Sequence, residues 1–443
     1  MKRKRKLGCL GIIVIVVIVM TLLAFGGSFL LSIILKEEAK KEGILTETVE
    51  NQADTERRQD APETGWEEEP ETAWEEEPET ETEETQPETA PEQEGIPEEE
   101  LSGKFYYEKL SPEEQAAYRV IAAGMRERQD EIRVDYPDGK RASELFQQIL
   151  LDFPEIFWCS GATEYITYPE PDSYVIINPD YLYDREETEQ KKAEVEAVTQ
   201  ECLAGISEDA GDYDKILYVF EYLVNTVDYD MTVDNNQYIY SALVDKRSVC
   251  AGYSRATQYL LERLGVFCTY VTGTAQSPLT GNDGHAWNLV LCDGDYYYVD
   301  TTWGDPVFTG EEEDGRENNI SYDYLCCNDE ELFKTHTPDP SLELPKCTKM
   351  DANYYVVNGM YYTEYDSESI FDVMLADIRE GKEQSVFKFA DSNIYGQAHE
   401  DIFGNLMERA MQEVIKQYQL QQGFYRYVDD DRLNKITIYW EYE

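Results

Sequence analysis

With 443 residues the chain is long enough for more than one domain, and its formal charge of −54, from 92 acidic against 38 basic residues, excludes a binder that works by neutralising nucleic-acid phosphates. Nine cysteines scattered without a Cys-x-x-Cys pair fit neither a disulfide framework nor a structural zinc site. There are only three histidines, His285, His336 and His399, which confines imidazole chemistry to few places.

Residues 1–6 form a basic tail and residues 7–35 carry no charge. At ~1.5 Å per helical residue the uncharged run exceeds a ~30 Å bilayer core, so it predicts a single-pass anchor that spans with tilt. The basic flank puts the N-terminus in the cytoplasm and everything after residue 35 outside the cell membrane. A cleaved signal peptide is the rival reading, disfavoured because the apolar run is longer than a ~15-residue h-region. Residues 36–103 then read as an acidic Glu/Thr/Pro stalk. Its like charges repel and it lacks the apolar residues to build a core, although an eight-residue repeat beginning at Pro62 and Pro70 carries Trp66 and Trp74.

Beyond the stalk, residues 104–205 predict an N-terminal α+β region. Ser111-Pro112-Glu113-Glu114 opens a helix to about Asp130, with Ser at the cap and Pro at the first position. A second helix covers Ser143–Leu151, Tyr174–Ile177 reads as a strand, and helices near Glu186–Leu203 and Asp212–Asn225 lead into a central segment, 206–345.

In that segment Tyr253, Ala256, Leu260 and Leu264 form a helical stripe, with Ser248 as N-cap and Gly265 as stop. Cys250 then lies in the first turn, where unpaired N–H groups and the helix dipole favour the reactive thiolate. Those N–H groups are also suited to an oxyanion. Downstream, Gly284–Leu291 and Tyr296–Trp303 are β-rich runs flanking Asp293-Gly294, a strong hairpin signal. A two-residue turn there makes opposed residue numbers sum to 587. His285 and Asp300 become same-face diagonal neighbours roughly 7 Å apart at Cβ, close enough for the carboxylate to hold one imidazole tautomer. A three-residue loop would separate them onto opposite faces. A lone cysteine or histidine is more often structural than reactive; the coincidence of all three residue types favours a nucleophile, a base and an orienter.

The runs Val249-Cys250-Ala251-Gly252-Tyr253-Ser254, Gly284-His285-Ala286-Trp287-Asn288 and Tyr298-Val299-Asp300-Thr301-Thr302-Trp303-Gly304-Asp305 resemble, in this order, the transglutaminase-like core of the papain-related cysteine enzymes. The likeness covers about 212–310 and continues through Tyr324–Glu331 to Lys334-Thr335-His336-Thr337, which is similar to the segment after the core in bacterial members. The resemblance implies a papain-like α+β fold and a Cys250-His285-Asp300 triad attacking a peptide or glutamine carboxamide through a thioester. It gives Trp303 as the aromatic that closes the site. Tyr240 is the candidate for a second oxyanion donor. Neither metal nor cofactor is expected.

Residues 346–443 predict a separate α+β module without catalytic motif: strand Tyr354–Tyr362, helix Ser367–Ile378, strand Ser385–Phe389, helix His399–Tyr418, and strands Phe424–Tyr427 and Lys435–Trp440. Cys268 and Cys292 are placed where they could pair. The sequence thus points to a membrane-anchored extracytoplasmic cysteine enzyme, a hydrolase or acyltransferase on peptide or protein substrates, with cell-wall-associated ones among the candidates. The alternatives are a catalytically inactive cell-surface binding protein on the same core, and an enzyme for a non-peptide amide.

Overall fold

The structure is a computed structural model and describes residues 95–168, 173–277, 281–305 and 320–442, without the side chains of residues 277, 281 and 282. The anchor expected at 7–35, most of the stalk, and Trp66 and Trp74 lie outside the described residues. Among the described residues no helix is long and apolar enough to cross a membrane.

The composition puts the end of the stalk at 103, but Ile96 and Leu101 are buried in the core, and Arg119 Nε donates to Ile96 O at 2.7 Å. Two apolar side chains suffice to fasten this acidic stretch. The helix Pro112–Glu127 starts as read: Ser111 and Glu114 form a reciprocal capping box, and Arg128 in the left-handed region ends the helix. The helix at Gly139–Asp152 starts four residues before its predicted start because Asp138 caps it. Strands β1 (Ile132–Val134), β2 (Cys159–Tyr168) and β3 (Tyr174–Tyr181) make an antiparallel sheet in the order β1-β3-β2. Helices Arg185–Leu203 and Asp212–Thr226 follow.

Two short strands, β4 (Asp228–Tyr229) and β5 (Arg247–Ser248), pair in parallel and deliver the chain into the helix Cys250–Arg263. Its N-cap is Val249, not Ser248. The Ser248 hydroxyl is spent on Asn236 O at 2.6 Å, which anchors the strand instead of the helix. Gly265, at φ +78°, ends the helix as expected, with the Val266 N–H reaching back to Leu261 O.

The central sheet runs β10-β6-β7-β8-β9, antiparallel throughout, from β6 (Cys268–Ser277), β7 (Gly281–Cys292), β8 (Asp295–Val299), β9 (Leu325–Cys327) and β10 (His336–Pro338). The β7–β8 register is Asn288 opposite Val299 and Cys292 opposite Asp295, the pairing that a two-residue turn dictates. Asp293 and Gly294 both have positive φ, 50° and 90°, as a turn matched to the strand twist requires. Both faces of β7 are covered. Asn288, Val290 and Cys292 face the cysteine helix, where the Asn288 amide donates to Ser254 O at 3.0 Å. Trp287 and Leu289 pack with Trp303, Tyr324 and Leu332 on the other side. Cys268 and Cys292 are both free thiols.

The last module holds strands β11 (Tyr361–Tyr362), β12 (Gln384–Phe389), β13 (Phe424–Asp430) and β14 (Lys435–Glu441) in the order β11-β12-β14-β13, with its own core of Phe387, Phe389, Ile436 and Ile438 against flanking helices. The strand expected over Tyr354–Tyr362 is a turn of helix at Tyr354–Val357 and a two-residue strand, because Asn353 caps the helix. His399 lies inside the helix Ser392–Asp401 instead of opening one, and its Nε2 pairs with Asp429 at 3.0 Å on the surface.

Candidate active site

Each piece of the site is placed by a short local device. Cys250 is the first residue of its helix and half-buried, while the rest of that helix is largely core. His285 sits on β7 opposite Gly273 of β6. Asp300 directly follows β8 and is fully buried, its N–H donating to Tyr324 O at 3.0 Å. The hairpin register brings the last two together: His285 Nε2 and Asp300 Oδ2 are 2.7 Å apart.

Because Asp300 engages Nε2, the other ring nitrogen of His285, Nδ1, is left to serve a nucleophile. The Cys250 side chain is a hydrogen-bond partner of His285. Burial alone would make the imidazole easier to deprotonate. Asp300, and after it Cys250, outweigh burial and push the His285 pKa up to about 10. Asp300 is a mirror case: burial would raise its pKa, but His285 and then His336 hold it well below the usual carboxylate range. The second carboxylate oxygen, Oδ1, accepts from the Trp303 N–H at 3.2 Å.

His336 is the residue whose role sequence reasoning missed. Its Nε2 lies 3.0 Å from the same Asp300 oxygen, and its side chain is fully buried. Burial lowers its pKa, and Asp300 only partly offsets this. The signal was present in the resemblance of Lys334-Thr335-His336-Thr337 to the segment after the core, but 36 residues separate His336 from Asp300, and tertiary contacts such as the β6–β10 pairing bring them together. Trp303 is buried at the site, its ring 6.0 Å from that of His285 and 4.8 Å from that of His336. Trp287 closes another side, 6.0 Å from His285.

Tyr240 is not part of this group. Its hydroxyl donates to Glu194 Oε2 at 2.6 Å, and Lys191 sits over its ring, so it is committed to the helix Arg185–Leu203. Tyr229, in β4 beside Ser248, lies near Cys250, as Tyr270 of β6 also does. The Tyr229 pKa is pushed up to about 12, by burial first and then by the proximity of Cys250 and Asp300.

The ligand atoms of His285, Asp300 and His336 lie within 4.8 Å of one another, a spacing that a divalent ion could bridge. Here these atoms are joined to each other by hydrogen bonds. A thiol at a helix start, an imidazole in contact with it and a buried carboxylate on the far ring nitrogen are the chemical parts that acyl transfer through a thioester requires.

Residues 196–301 match the sequence profile of the Transglutaminase-like superfamily, so this part of the chain is a transglutaminase-like domain on an α+β fold. The matched stretch contains Cys250, His285 and Asp300 and stops before Trp303 and His336. Among solved structures the chain is similar to a TGase, at 14% identity over 39% of this chain and 50% of the other, with a TM-score of 0.23. It is also similar to a candidate cysteine protease from Cytophaga hutchinsonii, at 16% identity over 34% and 65% with a TM-score of 0.22. A candidate protease from Parabacteroides distasonis matches at 8% identity over 32% and 36%, with a TM-score of 0.19. The chain covers less than two thirds of each of these proteins. No curated protein matches it in sequence.

Proposed function

We propose that the protein is a cysteine-nucleophile amidase or acyltransferase acting on peptide or protein carboxamides, carried on the outer side of a cell membrane by residues 7–35 and the acidic stalk. The observation that carries this reading is the contact of His285 with Cys250 on one side and with Asp300, through Nε2, on the other.

In the proposed reaction His285 Nδ1 takes the Cys250 thiol proton and the sulfur attacks the carboxamide carbon. The oxyanion is met by backbone N–H groups of the first helical turn. Collapse expels ammonia or an amine, which takes the proton from His285, and leaves a thioester. Water or an amine then attacks with His285 as base, releasing an acid or a new amide and restoring the thiol. The acidic surface suits cationic partners such as lysine-bearing peptides or a cell-wall polycation.

The test is the rate of iodoacetamide alkylation at Cys250 in the soluble chain from Gly95 onward, beside His285→Ala. We expect His285→Ala to lower the rate at pH 7 about 10-fold or more, in the range of general-base assistance. An unchanged rate would leave a binding protein built on an enzyme core. If the rate does fall, product analysis on glutamine peptides with and without added amine separates hydrolysis from transfer.

A further inference from the structure

We propose that His336 is a positioning residue of this site: it holds the Asp300 carboxylate in the orientation in which Asp300 can hold His285. The proposal rests on the functional reading above.

Asp300 Oδ2 lies 2.7 Å from His285 Nε2 and 3.0 Å from His336 Nε2. An ionised carboxylate only accepts, so both nitrogens must carry hydrogen. For neutral His336 that leaves Nδ1 as an acceptor, and its neighbour at 2.8 Å is Thr335 Oγ1, whose hydroxyl donates there in preference to the more distant Leu332 O at 3.4 Å. Thr335 has one hydroxyl hydrogen, so the contact of its Oγ1 with Tyr324 OH, at 2.7 Å, must run from the phenol. The hydrogen bonds thus point one way, from Tyr324 through Thr335 and His336 to Asp300. The same Tyr324 accepts the Asp300 N–H at its carbonyl, which closes the network into a ring.

Without His336, Oδ2 would have His285 alone and Oδ1 only the 3.2 Å bond from Trp303 N–H, and the carboxylate could rotate about its Cβ–Cγ bond. Burial of the whole network makes a mispaired carboxylate costly, so the second imidazole selects one rotamer and not merely a more stable fold.

The segment carrying His336 is itself fixed. Glu331, in the short helix Asp329–Leu332, takes the buried Lys388 of β12 at 2.6 Å, and Asp323, beside Tyr324, pairs with Lys435 of β14. Gly273 lets β10 approach: a Cβ there would stand 2.2 Å from Thr337 O.

The experiment measures iodoacetamide alkylation at pH 7 in the chain from Gly95 onward for the native sequence, His336→Leu, His336→Gln, Thr335→Val and His285→Ala, with thermal midpoints recorded for each. The glutamine amide can donate to Asp300 and accept from Thr335, whereas leucine does neither. We expect His336→Leu to react about 10-fold more slowly, His336→Gln to stay within about threefold of the native rate, and Thr335→Val to fall between them. A low-field imidazole N–H proton resonance should disappear in His336→Gln while that of His285 persists. If His285→Ala slows the reaction and His336→Leu does not, the positioning role is overturned while the triad stands. Equal losses in the leucine and glutamine variants would overturn it too, since a structural role does not distinguish a donor from a methyl group. If His285→Ala itself is without effect, the functional reading fails and the positioning role falls with it.

Discussion

A carboxylate oxygen shared by two imidazoles makes Asp300 the most constrained residue of the site, and its replacement is the most informative. In Asp300→Asn one amide must present an N–H or a neutral oxygen to two N–H donors, so His285 loses both its orienter and its counter-charge. We expect the alkylation rate and any turnover to drop by roughly 10²- to 10⁴-fold, with a smaller loss of stability. The three groups also make different pH predictions. His285, raised in the fold, contributes stability that is complete below its unfolded pKa of ~6.5 and is lost as pH climbs toward about 10. Asp300, depressed, contributes above its unfolded value of ~3.9 and loses this only below it. His336, facing Asp300, His285 and Tyr324, is depressed, so unfolding takes up a proton and stability falls as pH drops below ~6.5. The thermal midpoint of the native chain should therefore fall more between pH 7 and pH 5 than that of His336→Gln. Parallel slopes would show that His336 does not titrate on unfolding.

Elements, more than single side chains, set the distances. The Asp293-Gly294 turn fixes the β7–β8 register, and Gly294 at φ +90° admits a Cβ only with strain. Gly294→Val should cost about 1–2 kcal/mol in chemical denaturation, since a β-branched residue cannot relax there. One residue inserted after Gly294 should do more damage to reactivity than to folding, because it turns Asp300 away from His285. Gly273→Ala is the corresponding test on the other side of the sheet. The added methyl meets Thr337 O and the Trp287 ring, so β10 must move and carry His336 away from Asp300. We expect about 1–3 kcal/mol of destabilisation, with a fall in alkylation rate that His336→Leu does not deepen. The hairpin, the Ser111 cap and the Gly265 stop were legible because each is set by residues within a few positions. Ser248 was misread as a cap because its hydroxyl answers to Asn236, twelve residues away. Tyr354–Tyr362 was misread as a strand because its aromatic β-formers outweighed the Asn353 cap.

On the scale of the whole molecule, the last module reaches the site through ion pairs. Lys388 has almost no exposed side chain and is bound to Glu331 and to Leu433 O. Lys388→Met would leave Glu331 with Lys334 alone, and we expect a loss of about 3 kcal/mol, read from urea midpoints. The same variant should slow alkylation, since Glu331 begins the turn that leads to Thr335 and His336. A native rate would show that the module supports the fold without supporting the site. In the full chain, residues 7–35 should retain the protein in the membrane fraction after alkaline washing, and removing them should release it.

By itself the sequence carried the resemblance to a transglutaminase-like core and offered Cys250, His285 and Asp300 as candidates for one site, because the hairpin turn and its register are local and follow from residue type and spacing. Only the tertiary structure decided that His336 shares Asp300, that Tyr240 belongs to Glu194, and that Tyr229 lies near Cys250 and Asp300. These contacts join segments far apart in the chain. Their partners are chosen by strand order and burial, which no periodicity within a single element records.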